Sequence, residues 1–223
     1  MNNKIFIACD TTNISKVKKI INKTQNTKLK VGYKFGLEFL NSKNGRNFIS
    51  KLKNKIIFAD MKIHDIPNTC ISAVRAIKDL KVNYLTIHIS SGLKAIKAAK
   101  KVAGKTKLIG VTILTSLNNK ALKEIGFNKN VKKIVLNQAR LANKAKLDAI
   151  VCSAQEVRLV RKVFKKEIIT PGIRFISKSN DQKRILTPKE AYKNGSDWLV
   201  IGRPITKGNI KNNIQKLILH LNK

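Results

Sequence analysis

Acidic residues are scarce. The 223-residue chain carries 12 Asp and Glu against 47 Lys and Arg, a formal net charge of +35. An excess of this size draws polyanions in general. Here, however, the lysines run through the whole chain in company with Asn and Ile, aromatic residues make up only 5%, and no basic tail or nucleic-acid motif collects the charge. Diffuse charge supports non-specific, salt-sensitive attraction. A specific nucleic-acid role is therefore not expected, while an anionic small molecule would gain from the same field.

Cysteine is nearly absent as well. Cys9, Cys70 and Cys152 are odd in number and far apart, with no Cys-x-x-Cys and no neighbouring pair of histidines, which argues against a disulfide framework and a zinc site. They read as buried thiols. Also missing is any apolar stretch near the ~20 residues of a membrane span, so no membrane partner is expected. The short apolar run in Met1–Asp10 ends in a charge rather than a cleavage site, and a cytoplasmic location is the expectation.

What is present is a core-burying composition, 43% hydrophobic and 26% charged, arranged in a repeating alternation. Short β-rich apolar runs stand at Ile5–Cys9, Leu29–Val31, Ile56–Asp60, Tyr84–His88, Leu108–Thr112, Ala149–Cys152, Ile168–Thr170 and Trp198–Ile201. Between and after them, helical spacing with Lys-rich outer faces predicts helices over Asn13–Asn22, Asn47–Leu52, Thr69–Leu80, Leu93–Val102, Val131–Lys144, Ala154–Phe164, Pro188–Lys193 and Ile210–Leu221. Such βα units, with no linker or break in composition, point to one α/β domain over residues 1–223, a single (β/α)8 TIM barrel, because right-handed crossovers place helices outside and strands inside. An open doubly wound sheet is the alternative. Against it, no Gly-x-Gly-x-x-Gly opens the first helix, where Asp10-Thr11-Thr12-Asn13 offers N-caps instead.

A barrel enzyme draws its functional groups from the C-terminal ends of its strands. The ends here are Asp10, Lys30, Asp60 with Lys62, His88, Thr112 with Thr115 and Ser116, Ser153, Pro171-Gly172-Ile173-Arg174, and Gly202-Arg203. If the third strand continues to Lys62, Asp60 and Lys62 lie on one face. A protonated Lys held among carboxylates presents negative charge to one part of a substrate and a proton to another. The same Asp-x-Lys-x-x-Asp pattern is open to plain structural ion pairing in a lysine-rich chain. Pro67 fits the first turn of the helix that follows. After the last two strands, Gly172 and Gly202-Arg203 place Gly-containing turns and a guanidinium where barrels frequently hold phosphate. A turn that merely closes the barrel is the other reading.

The segment Phe58-Ala59-Asp60-Met61-Lys62-Ile63-His64-Asp65-Ile66-Pro67-Asn68-Thr69 is followed by Val151-Cys152-Ser153-Ala154, Thr170-Pro171-Gly172-Ile173-Arg174, Asp181-Gln182-Lys183-Arg184 with Thr187-Pro188, and Gly202-Arg203-Pro204-Ile205-Thr206. In this order and spacing the chain resembles the orotidine 5′-phosphate decarboxylase family from Asp10 to Thr206. One departure is His88-Ile89-Ser90-Ser91-Gly92, where the family usually shows His-Ala-x-Gly-Gly.

The resemblance implies a lyase that converts orotidine 5′-monophosphate to uridine 5′-monophosphate (UMP) and CO2, the final step of de novo pyrimidine biosynthesis, with no cofactor and no metal. It implies that Asp60 faces the substrate carboxylate, that Lys62 protonates C6, and that Lys30 and Asp65 complete an alternating charge network. Spacing does not separate Lys28 from Lys30; the following Val31-Gly32 selects Lys30. Asp10 and Thr69 would hold ribose hydroxyls, Thr115 and Ser116 the pyrimidine, and Gln182, Gly202 and Arg203 the phosphate, with Arg174 nearby. Asp65 and Thr69 would reach the neighbouring subunit's site, which implies a homodimer with shared active sites. The stretch Phe175–Asp181 would serve as a lid. A Mg²⁺-dependent sugar-phosphate decarboxylase or aldolase of the same superfamily shares the Asp-x-Lys-x-x-Asp pattern, but Asp65-Ile66-Pro67-Asn68-Thr69 and Asp181-Gln182 favour the nucleotide enzyme. A non-catalytic basic barrel is the reading from a different class.

Overall fold

The computed structural model describes residues 3–175 and 186–222. Eight parallel strands, β1 (Lys4–Ala8), β2 (Lys30–Phe35), β3 (Ile56–Ile63), β4 (Tyr84–His88), β5 (Lys107–Val111), β6 (Ala149–Val151), β7 (Glu167–Thr170) and β8 (Trp198–Ile201), close in sequence order into a barrel, β8 pairing with β1. The expected (β/α)8 class holds.

Period-two alternation explains how each strand serves two layers. In β1, Ile5 and Ile7 pack outward among the helices while Phe6 and Ala8 join the barrel interior. In β4, Leu85 and Ile87 face outward and Tyr84 inward. Phe6 stacks on Trp198 with ring centroids 4.2 Å apart, and meets Phe58 and Tyr84 edge-on at 5.0 and 5.2 Å. Gly32 makes room for this packing, since a Cβ there would come within 2.6 Å of the Phe6 ring. At the N-terminal mouth, Glu167 accepts hydrogen bonds from the Tyr84 hydroxyl (2.9 Å), the Lys107 ammonium (2.9 Å) and the Trp198 indole N–H (3.2 Å). The lower barrel is thus filled and sealed, which leaves the C-terminal end for a cavity.

The outer layer contains helices Ile14–Thr24, Gly45–Ser50, Pro67–Ala76, Gly92–Val102, Val131–Lys144, Val157–Val163, Pro188–Lys193 and Ile210–Asn222. Asn13 caps the first, its side-chain oxygen accepting from the Lys16 N–H at 2.9 Å. Short helices at Leu37–Leu40, Asn119–Glu124 and Arg203–Thr206 were not expected; the two four-residue segments span barely one turn and cannot display a helical period. All three cysteines are buried, and burial raises the Cys9 thiol to about 12. No described helix is long and apolar enough to cross a membrane.

Candidate active site

The second strand corrects the expected charge network. It does not end at Val31 but runs on to Phe35, with Val31, Tyr33 and Phe35 packed outward and the alternate positions facing the barrel interior. Lys30 pairs with Lys4 at the start of β1, at the N-terminal mouth, whereas Lys34 pairs with Ala8 near the C-terminal mouth. Four residues of strand, roughly 13 Å, separate them. Lys34 therefore takes the place given to Lys30: its Nζ lies 3.0 Å from Asp10 Oδ1 and 3.6 Å from Asp60 Oδ2.

The third strand reaches the expected pairing by an irregular route. Ala59 pairs with Leu85 and Ile63 with Ile87, so four steps along β3 answer only two along β4. The bulge falls on Asp60, Met61 and Lys62 and puts Lys62 at φ +50°, a left-handed conformation that costs an L-residue roughly 1–2 kcal/mol. Its Nζ nevertheless meets Asp60 Oδ2 at 2.8 Å. Two ammonium groups thus converge on one carboxylate oxygen, in the series Asp10, Lys34, Asp60, Lys62. The Lys34 and Asp60 side chains are only 12% and 13% exposed, so the charges act through a partly desolvated medium.

These groups line a cavity of about 730 Å³ at the C-terminal mouth. Its floor is apolar, from Ala8, Phe58, Val111, Val151 and Val200, and its rim includes Thr115, Arg174, Gly202 and Arg203. Four cationic side chains (Lys34, Lys62, Arg174, Arg203) face two carboxylates (Asp10, Asp60) among the lining residues, which suits an anionic ligand. Gly202 lies close to β1, where an added Cβ would stand 3.5 Å from Ala8 Cβ. Beside Lys62, the His88 imidazole is held below its ordinary 6.5 by burial, then by His64 and the Lys62 charge.

Ser116 is exposed and is not part of the cavity wall. Asp65 and Thr69 are likewise exposed, outside the cavity of their own chain. Asp65 Oδ1 accepts from the Ile66 N–H at 2.7 Å. Gln182 and residues 176–181 of the expected lid lie outside the described residues. The unusual fourth loop forms a 3₁₀ turn at Ile89–Ser91, and Gly92 begins the next helix at φ +87°, a conformation natural to glycine.

A family model described as the orotidine 5′-phosphate decarboxylase / HUMPS family matches residues 3–215. The orotidine 5′-phosphate decarboxylase of Wolbachia sp. subsp. Brugia malayi (strain TRS) is 45% identical, over 97% of this chain and 98% of its own. That of Wolbachia pipientis subsp. Culex pipiens (strain wPip) is 44% identical over 97% of each chain. Among solved structures, the orotidine 5′-phosphate decarboxylase of Lactobacillus acidophilus superposes with a TM-score of 0.83 at 30% identity, covering 99% of this chain and all of the other.

Proposed function

The chain belongs to the orotidine 5′-phosphate decarboxylase / HUMPS family, and on that premise we propose that it decarboxylates orotidine 5′-monophosphate to UMP and CO2, closing de novo pyrimidine biosynthesis. The observation that carries this reading is the Lys62 ammonium held 2.8 Å from the Asp60 carboxylate at the mouth of an apolar-floored, net cationic cavity.

In this reading the bond from C6 to the carboxylate breaks, CO2 departs, and the electron pair stays on C6. The Lys62 ammonium stabilises that charge and gives C6 a proton, becoming a neutral amine that water reprotonates. Asp60 faces the departing carboxylate and aims the Lys62 ammonium, which it meets at 2.8 Å. Lys34, in the role first given to Lys30, neutralises Asp60 and Asp10 from the other side. Asp10 is then free to take a ribose hydroxyl, and Thr115 is set to meet the pyrimidine with Ser116 beside it. Gly202 and Arg203, with Arg174 near, receive the phosphate, whose binding energy orients the distant reacting carbon. Gln182 is assigned to the phosphate on the sequence resemblance alone. Asp65 and Thr69 serve the site of a second copy in a homodimer, a reading supported by their exposure and by the 66% exposed Ile66 between them.

The test is loss of orotidine 5′-monophosphate absorbance with purified protein in excess EDTA. Turnover is expected to persist. No turnover with or without chelator would overturn the reading, and activity lost only to EDTA would favour a metal-dependent relative. Lys62→Ala should abolish turnover while leaving UMP binding measurable; retained decarboxylation would remove Lys62 as proton donor.

A further inference from the structure

We propose that Thr86 is the positioning residue that sets both the Asp60 carboxylate and the Lys62 backbone for decarboxylation, an inference that rests on the roles given to those two residues above. The register places it there. Between the pairs Ala59/Leu85 and Ile63/Ile87, Thr86 is the one β4 residue set against three of β3, Asp60, Met61 and Lys62. The bulge turns the Lys62 N–H out of the regular ladder, and that N–H is received by Thr86 Oγ1 at 2.8 Å. The same oxygen lies 3.1 Å from Asp60 Oδ1.

Donor accounting fixes the direction of both bonds. An ionised carboxylate only accepts, so the single hydroxyl proton of Thr86 goes to Asp60, and a lone pair takes the Lys62 N–H. With Oδ1 anchored in this way, Oδ2 is the oxygen turned to Lys62 Nζ at 2.8 Å and Lys34 Nζ at 3.6 Å. One hydroxyl therefore ties the backbone of the proton donor to the carboxylate that pairs with its ammonium. Thr86 is fully buried and does not line the cavity, so it acts through its neighbours and touches no substrate.

A merely structural threonine would behave differently. Among the described residues, the other buried threonines direct their hydroxyls elsewhere: Thr24 to helix carbonyls and Tyr33, Thr112 to the Val151 carbonyl, and Thr170 to Ser196. Of these four buried threonines, Thr86 alone bonds a carboxylate. Valine would fill the same space in a strand without the cost of burying a hydroxyl.

Steady-state kinetics on orotidine 5′-monophosphate for Thr86→Val and Thr86→Ser, with UMP affinity measured in parallel, tests the assignment. Thr86→Val is expected to lower kcat about 10- to 100-fold, the scale of a reacting group displaced by about 1 Å, with KM and UMP affinity within about threefold of the parent. Thr86→Ser should return kcat to within about threefold, because it keeps the hydroxyl. An unchanged kcat in Thr86→Val, a loss confined to KM, or a Thr86→Ser variant as impaired as Thr86→Val would each overturn the inference. If Thr86→Val does not fold, Thr86→Ala carries the same expectation. Lys62→Ala in the same assay separates the two levels. Turnover by that variant would overturn the proposed chemistry itself, whereas an inactive Lys62→Ala beside a fully active Thr86→Val would sink only the role of Thr86.

Discussion

Lys34 stands between two carboxylates, 3.0 Å from Asp10 and 3.6 Å from Asp60, in a site proposed to receive an anion. Removing it leaves both negative charges less compensated exactly where further negative charge must bind, so the cost should fall on substrate binding and on the chemical step together. Lys34→Ala is expected to lower kcat/KM by about a hundredfold or more, the scale of losing one preorganised charge contact. Lys30→Ala, at the opposite mouth of the barrel, should stay within about twofold, a surface change remote from the chemistry. A large loss from Lys30→Ala with none from Lys34→Ala would restore the original assignment. The sequence held the signal for Lys34 but in duplicate: Lys30-Val31-Gly32 and Lys34-Phe35-Gly36 both read Lys-apolar-Gly. Ending the strand at Val31 hid the second copy, although the alternation of Val31, Tyr33 and Phe35 continues past it. Asp60 and Lys62 were legible because a regular strand, with its period of two, would bring them to one face. The bulge that shapes their meeting was not, since nothing in Asp60-Met61-Lys62 marks an interruption of the ladder, and Thr86, on the next strand and 24 residues from Lys62, carries no local motif at all.

At the scale of elements, the eight strands were legible from their apolar runs, whereas the links between strand starts were not. Glu167 opens β7, and its partners Tyr84, Lys107 and Trp198 open β4, β5 and β8. Only the closed barrel brings these four together. Despite burial, which opposes ionisation, the hydrogen bonds from Lys107, Trp198 and Tyr84 hold the Glu167 carboxyl below its ordinary 4.5. A carboxylate depressed in the folded state adds stability that is fully present above the unfolded value and is lost as the pH falls through the folded one. Glu167→Gln should therefore cost about 1–3 kcal/mol near pH 7, measured by urea unfolding, because charge-assisted bonds are replaced by neutral ones. That difference should shrink steadily below about pH 4.5 as the parent's carboxylate takes up its proton. A difference independent of pH would mean that shape, and not charge, seals the lower mouth. Catalysis at the other end of the barrel should be unaffected near neutrality, since Phe6, Phe58 and Trp198 fill the space between.

For the molecule as a whole, the proposed sharing of sites follows from what one chain leaves unused. Asp65 belongs to the same sequence motif as Asp60 and Lys62, yet it lies outside the wall of their cavity and forms no ion pair among the described residues, in a chain with 47 cationic side chains. Ile66 beside it is 66% exposed. An exposed carboxylate and an exposed apolar side chain next to an active-site strand fit a two-fold contact in which each copy completes the other's site. Lys62→Ala and Asp65→Ala should then each be inactive alone for different reasons, the first lacking its own proton donor and the second the group it lends. Exchange of the two variants in equal amounts would give mixed dimers as half of the population. Each mixed dimer holds one site with both groups removed and one with both intact, so about a quarter of the parental activity should return. Co-expression of the two variants with different affinity tags followed by assay, with sequential capture on both tags to verify that mixed dimers form, measures this. A mixed dimer without activity would place Lys62 and Asp65 of one chain in that chain's own site, and an active Asp65→Ala variant would remove that residue from the network.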